Sequence, residues 1–203
     1  MAIFPGNPAD ALRAAIQIEE TLRIYNQRRI AKKRAALKIG IGMHTGQLIM
    51  GVIGDQNRMD AATIADTVNI ASRVENLTKY YSASILLTKK SVQSLPNPEA
   101  FHLRYLGKVK VKGKAKSTGI YECYDSDPPE ILELKVKGQS DFEAGLQHFS
   151  EGAFPEAALA FKHVLEENEK DQVARHFYDR SSKLAEEGVP DNWSGVEELF
   201  SKW

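Results

Sequence analysis

The sequence has 203 residues, with 27 Lys and Arg against 27 Asp and Glu, so its formal net charge is zero. That balance excludes a dedicated nucleic-acid binder, which needs a basic excess against phosphates; 42% hydrophobic and 27% charged residues exclude chain-wide disorder. The single cysteine, Cys123, excludes an internal disulfide and a cysteine-based zinc site.

No apolar run approaches the ~20 residues that span a bilayer, and no basic-then-apolar leader is present. A cytoplasmic protein is therefore expected. The start, Met1-Ala2-Ile3-Phe4 before the Pro5-Gly6 turn signal, is already apolar and reads like the middle of a domain. From about Pro8 to Ala31 an apolar stripe of Ala11, Leu12, Ala15, Ile16, Ile18, Leu22 and Ile24 has helical spacing. Asn7 is a candidate N-cap with Pro8 at the first helical position. The basic stretch Arg28 to Arg34 suits the solvated end of that helix.

Leu37–Met43 and Gln47–Gly54 read as two strands around a His44-Thr45-Gly46 turn, predicting a hairpin. Asp55 to Asp60 reads as a polar loop and about Ile64 to Tyr80 as a helix. Ser84 to Thr88 is a short strand, followed by a short helix that Pro96 ends. His102–Leu106, Lys108–Val111 and Thr118–Tyr124 read as strands, the last two joined by a Gly113–Ser117 turn. Up to about Asp125 the mixture predicts a layered α+β domain. Pro128-Pro129 breaks it, and beyond Gly138 only helical stripes are expected. The domains predicted are 1–125, a linker over 126–138, and a helical region over 139–203.

Gly40, Gly42, Gly46, Gly51 and Gly54 crowd one region. No Gly-Lys-Ser/Thr enters a helix, which excludes a Walker loop. The Gly40-x-Gly42 pair lacks the third glycine at dinucleotide-fingerprint spacing, and a strand rather than a helix follows. Close packing and tight turning remain as the role of these glycines. His44, at the strand end beside them, reads as a hydrogen-bonded structural residue.

The helix after Asp60 carries the chemistry. Asn69 and Arg73 stand four apart and share a face. An amide that can bond a sugar, one turn from a guanidinium that can grip phosphate, makes a nucleotide clamp. Taken alone, such a pair also suits a solvated helix face.

Four blocks change the reading. They are Gly40-Ile41-Gly42-Met43-His44-Thr45-Gly46, Gly51-Val52-Ile53-Gly54, Asp66-Thr67-Val68-Asn69-Ile70-Ala71-Ser72-Arg73 and Val109-Lys110-Val111-Lys112-Gly113-Lys114. In this order and spacing they resemble the class III adenylate/guanylate cyclase catalytic domain over residues 1–125. The resemblance implies a partial ferredoxin-like fold that pairs with a second such domain, as a homodimer or with another cyclase domain. It implies ATP or GTP as substrate, and cyclic AMP or cyclic GMP and pyrophosphate as products of 3′-hydroxyl attack on the α-phosphate. It implies Asn69 and Arg73 as the pair facing ribose and transferring phosphate, and Lys112 as a phosphate contact. Magnesium or manganese is expected for the family.

Two departures follow from the same comparison. The start of the chain resembles the segment just after the family's second metal aspartate, so the expectation is an N-terminal truncation, with both metal aspartates upstream, no metal ligand here, and no activity of this chain alone. Asp55 and Asp60 do not match those aspartates by motif and read as solvated loop residues. The family's base-reading polar position falls on Ala62, with Thr63 one step later, so the base preference is open.

In the tail, Gly145, Gly152, Phe154, Ala157 and Phe161 fall close to the tetratricopeptide pattern, one small all-α helical hairpin that has to pack on something to bury its face. Trp193, Leu199, Phe200 and Trp203 form an aromatic terminus expected to dock, and Trp193-Ser194-Gly195-Val196 resembles a terminal motif of bacterial members of the family. An alternative function is a non-catalytic subunit that pairs with an intact cyclase through its dimer face and tail.

Overall fold

The computed structural model describes residues 1–54, 59–64, 66–111, 117–190 and 193–199. Helix α1 spans Pro8–Ala31, with the Asn7 side chain accepting from the Ala9 amide at 2.9 Å and Pro8 opening it, as expected. Then come β1 (Ile41–Met43), β2 (Ile49–Gly54), β3 (Met59–Ile64), α2 (Asp66–Tyr81), β4 (Ile85–Thr88), α3 (Lys89–Gln93), β5 (Leu103–Val111) and β6 (Thr118–Cys123). The tail holds α4 (Pro129–Lys137), α5 (Gln139–Glu151), α6 (Phe154–Glu167), α7 (Gln172–Glu187) and β7 (Val196–Leu199).

A mixed α+β architecture results. The main sheet has the order β1-β4-β6-β5-β7. β1 runs parallel to β4, β6 is antiparallel to both β4 and β5, and β7 is parallel to β5. The two segments expected over Leu37–Met43 and Gln47–Gly54 do not form a hairpin with each other. β1 joins the main sheet through β4, while β2 pairs with β3 in a separate two-stranded sheet, Gly51 opposite Ala62. Alternation reports which face is buried, and the partner strand is decided by what lies alongside. The stretch expected as one strand over Lys108–Val111 and another over His102–Leu106 is one strand, with an irregularity between Tyr105 and Gly107, where Gly107 adopts φ +105°.

The run Ile85-Leu86-Leu87-Thr88 is buried throughout because β4 is covered on both faces. Ile85 and Leu87 point with Cys123 toward Ala9, Leu12 and Ala15 of α1. Leu86 points the other way, with Leu106, Val109 and Ile120, toward Val74, Leu77 and Tyr81 of α2. That second core continues without a break into the tail, through Phe142, Phe149, Phe154, Phe161 and Phe177. The tail helices therefore bury their apolar face on the sheet-and-helix layer of the same chain. Phe161 stacks on Phe177 at 5.2 Å, and a Cβ on Gly145 would press on the Phe161 ring at 3.0 Å, so the small residue permits the close crossing expected of it.

The segment expected as a linker carries α4, whose Lys135 is buried in an ion cluster. One strand, β7, lies beyond Gly138, where only helices were expected. No helix among the described residues is long and apolar enough to cross a membrane.

Candidate nucleotide site on helix α2

Asn69 and Arg73 sit one turn apart on α2, about 6 Å along its axis. Asn69 is exposed and Arg73 half-buried. The Arg73 Nη1 is shielded from solvent and has no hydrogen-bond partner among the described residues. A buried donor without an acceptor costs about 1–3 kcal/mol, more when charged. Such a donor is available to an anion that a ligand brings.

Three contacts fix the helix that carries the pair. At its start the Thr67 hydroxyl donates to the Gln47 carbonyl at 2.7 Å. In its middle it lies directly on β1. A Cβ on Gly42 would overlap the Glu75 backbone nitrogen and approach the Ala71 carbonyl at 2.6 Å, and one on Gly40 would overlap the Thr78 side chain. Gly40 and Gly42 thus serve the close packing expected of them, whereas Gly51, expected in the same role, meets nothing within 4 Å. At its end, the Tyr80 and Tyr81 hydroxyls donate to the Glu197 carboxylate of β7 at 2.9 and 3.2 Å. Burial pushes the Glu197 carboxyl up, and the Tyr80 and Arg180 contacts only partly offset it.

His44 hydrogen-bonds Thr88 through Nδ1 at 2.8 Å, joining the ends of β1 and β4 in the structural role expected of it. Ala62 and Thr63 belong to β3, opposite Gly51 and Met50, and their side chains lie outside the described part. Lys112, Asp55, Phe200 and Trp203 also lie outside the described residues. Among the described residues no three His, Cys, Asp or Glu side chains are grouped to hold a metal ion. The chemistry on the page is an amide and a guanidinium on a rigid helix, which can orient a sugar and neutralise a phosphate.

Sequence reasoning missed the residues that brace this helix. Tyr80, Tyr81 and Glu197 carried no motif, although two adjacent tyrosines closing an amphipathic helix indicate that its last turn is packed.

A second polar cluster joins sheet and tail. Arg104 of β5 stands opposite Glu122 of β6, donating to it at 2.6 and 2.9 Å. It also donates to Asp171, the N-cap of α7, and lies 4.0 Å from the centre of the Phe142 ring. Lys135 of α4 donates to Glu122 at 2.9 Å and pairs with Asp127 at 2.7 Å. Burial alone would raise the carboxyls of Glu122 and Asp171; the Arg104 guanidinium overrides it, and both are held below the usual carboxylate range.

Comparison with known proteins gives a consistent picture. The adenylate and guanylate cyclase catalytic domain matches residues 6–124. An adenylate cyclase of Anabaena cylindrica is 43% identical over 128 residues, covering 60% of this chain and 26% of that protein. The terminal-differentiation specific adenylate cyclase of Dictyostelium discoideum is 31% identical over 169 residues, covering 80% of this chain and 8% of that protein. The chain thus spans about a quarter or less of these two relatives. Among solved structures, the adenylyl cyclase CyaB from P. aeruginosa is 28% identical with a TM-score of 0.49, covering 60% of this chain and 62% of that one.

Proposed function

Because this chain belongs to the adenylate and guanylate cyclase catalytic domain family, whose members bind nucleoside triphosphates and work as dimers, we propose that it is the C-terminal portion of a class III nucleotidyl cyclase and supplies one half of a shared active site. The observation that carries this reading is the shielded Nη1 of Arg73, without a hydrogen-bond partner among the described residues, one turn from Asn69. Asn69 holds the ribose, and Arg73 meets the negative charge that builds on the α-phosphate as the 3′ oxygen bonds to it and pyrophosphate departs. Such a donor is worth about 10²–10³ in rate, because it is already oriented where the charge develops. Lys112 is proposed as a further phosphate contact, and Ala62 and Thr63 as the neighbours of the purine.

The product proposed is cyclic AMP, with cyclic GMP as the alternative; the adenylate cyclases among the relatives support ATP. Ala62 has no group to bond a purine edge, so any base selection on this side falls to Thr63. The reaction is placed in the cytoplasm, in intracellular signalling. The family uses magnesium or manganese, but the described residues offer no carboxylate set to hold either, and no step here is routed through a metal. The other half of the site, with its metal ligands, is proposed to come from a second cyclase domain.

The test is complementation. The chain is mixed with an intact homologous cyclase whose own asparagine and arginine on the equivalent helix are replaced. Cyclic nucleotide should form with the wild-type chain and fall at least a hundredfold with Asn69→Ala or Arg73→Ala. The 203-residue chain alone should form none from ATP or GTP with Mn²⁺. Activity of the chain alone, or complementation indifferent to Arg73, refutes the reading. Binding to the intact cyclase that changes its activity equally with Arg73→Ala identifies a purely regulatory subunit instead.

A further inference from the structure

The terminal motif Trp193-Ser194-Gly195-Val196 has a built seat. Trp193 packs edge-on against Phe149 and Phe154, with ring centres at 5.3 and 5.2 Å, and its Nε1 donates to the Ser150 carbonyl at 3.2 Å. Gly195 turns the chain at φ +70°, so close to Ser150 that a Cβ would stand 2.6 Å from its carbonyl oxygen. This turn delivers β7 onto the edge of β5, in parallel register from Lys108 opposite Val196 to Val111 opposite Leu199. Those four residues of β5 immediately precede Lys112. In the same strand, Glu197 turns inward, 7% exposed, and accepts from Tyr80 and Tyr81 at the end of α2. Arg180 of α7 stands 3.6 Å away.

Four residues of β7 thus tie together two elements far apart in sequence. Its backbone holds the end of β5, and the buried carboxylate of Glu197 holds the helix that carries Asn69 and Arg73. Burial of the Glu197 carboxylate carries a desolvation cost that an apolar side chain would avoid. What the carboxylate adds is direction: two hydroxyl donors fix the distance between β5 and α2.

We propose that residues 193–199 form a clamp in which Glu197 is a positioning residue for the nucleotide site, setting the end of β5 against helix α2. This rests on the half-site reading above. A loosened clamp frees the last turn of α2 and the end of β5 from each other while Asn69 and Arg73 stay on their helix, so its loss appears in nucleotide binding more than in turnover.

The experiment uses the full chain in the complementation assay, with Glu197→Ala, Glu197→Gln and the control Arg73→Ala, together with hydrogen exchange of the 108–111 amides. Glu197→Ala should raise KM at least fivefold with kcat within threefold, and the 108–111 amides should exchange at least tenfold faster while those of β4 do not change. Glu197→Gln, whose amide oxygen still accepts from the tyrosines, should restore KM to within twofold of wild type. Unchanged KM in Glu197→Ala overturns the clamp, as does equal loss in Glu197→Gln or exchange that rises across β4 as well. If Arg73→Ala leaves complementation intact, the half-site reading itself falls and the clamp's role falls with it.

Discussion

Arg104 and Asp171 are 67 positions apart and meet in the interior through two hydrogen bonds at 2.6 and 3.0 Å, with side-chain exposures of 2% and 0%. The pair joins a sheet strand to the cap of a tail helix, since Asp171 also accepts from the Ala174 amide at 3.0 Å. Arg104→Met would leave the carboxylates of Glu122 and Asp171 buried together against Lys135 alone. Breaking a buried pair from one side costs about 3–5 kcal/mol, and urea unfolding should show a loss of that size.

Glu197 gives the stability a testable pH dependence. Its folded pKa lies above the unfolded one. Its stabilising contribution is therefore complete below the unfolded value, about 4.3, and is lost as the pH rises through the raised value. Relative to Glu197→Gln, the wild type should lose stability over the range above about pH 4.3, as the pH rises through the raised value. His176, which packs against Tyr80 and Tyr81 and is pushed down to about 4 by burial and Arg180, titrates in both proteins. A difference that stays constant across that range would refute the account of Glu197.

Arg73 should trade stability for function. Its shielded Nη1 lacks an acceptor among the described residues, so Arg73→Leu removes a desolvation cost. The free chain should unfold at the same midpoint or be stabilised by up to about 1 kcal/mol, while complementation is lost. A variant destabilised by more than about 2 kcal/mol would show that the guanidinium is held by the fold itself.

Two glycines separate packing from tolerance. Gly42→Ala places a methyl group into the Glu75 backbone and should cost about 1–3 kcal/mol or more, because backbone on both sides must move. It should also weaken complementation by displacing α2. Gly51→Ala meets nothing within 4 Å and should stay within about 0.5 kcal/mol of wild type. Thermal unfolding of the two variants decides this directly.

The continuous core predicts cooperative unfolding. Phe177 of α7 lies 5.8 Å from Tyr81 of α2 across the join between tail and sheet. Phe177→Ala should cost about 3–5 kcal/mol, and tryptophan fluorescence and far-ultraviolet dichroism should report one coincident transition. Two separated transitions would support independent units divided at 126–138.

Much of the fold was legible because it is local. The Asn7-Pro8 start of α1, the stripe of α2, the apolar run of β4 and the strands either side of the 112–116 segment each show their burial in their own spacing. The family was legible for a related reason: Asn69 and Arg73 have to share a helix face, and that need writes a fixed interval into the chain. The pairing of β1 with β4, and of β2 with β3, was not legible, because alternation is the same whichever strand lies alongside. Arg104, Glu122, Lys135 and Asp171 read as ordinary charges for the same reason. Their burial depends on partners contributed by four different elements.

The sequence by itself determined the layered α+β class, the family and the spacing of the Asn69–Arg73 pair, all consequences of local periodicity and of chemistry that fixes intervals. Only the tertiary structure decided that Val196-Glu197-Glu198-Leu199 is a strand. An acid-rich tetrapeptide has little strand preference of its own. It becomes one because the edge of β5 offers unpaired backbone groups and because Tyr80 and Tyr81, more than a hundred positions earlier, accommodate its buried carboxylate.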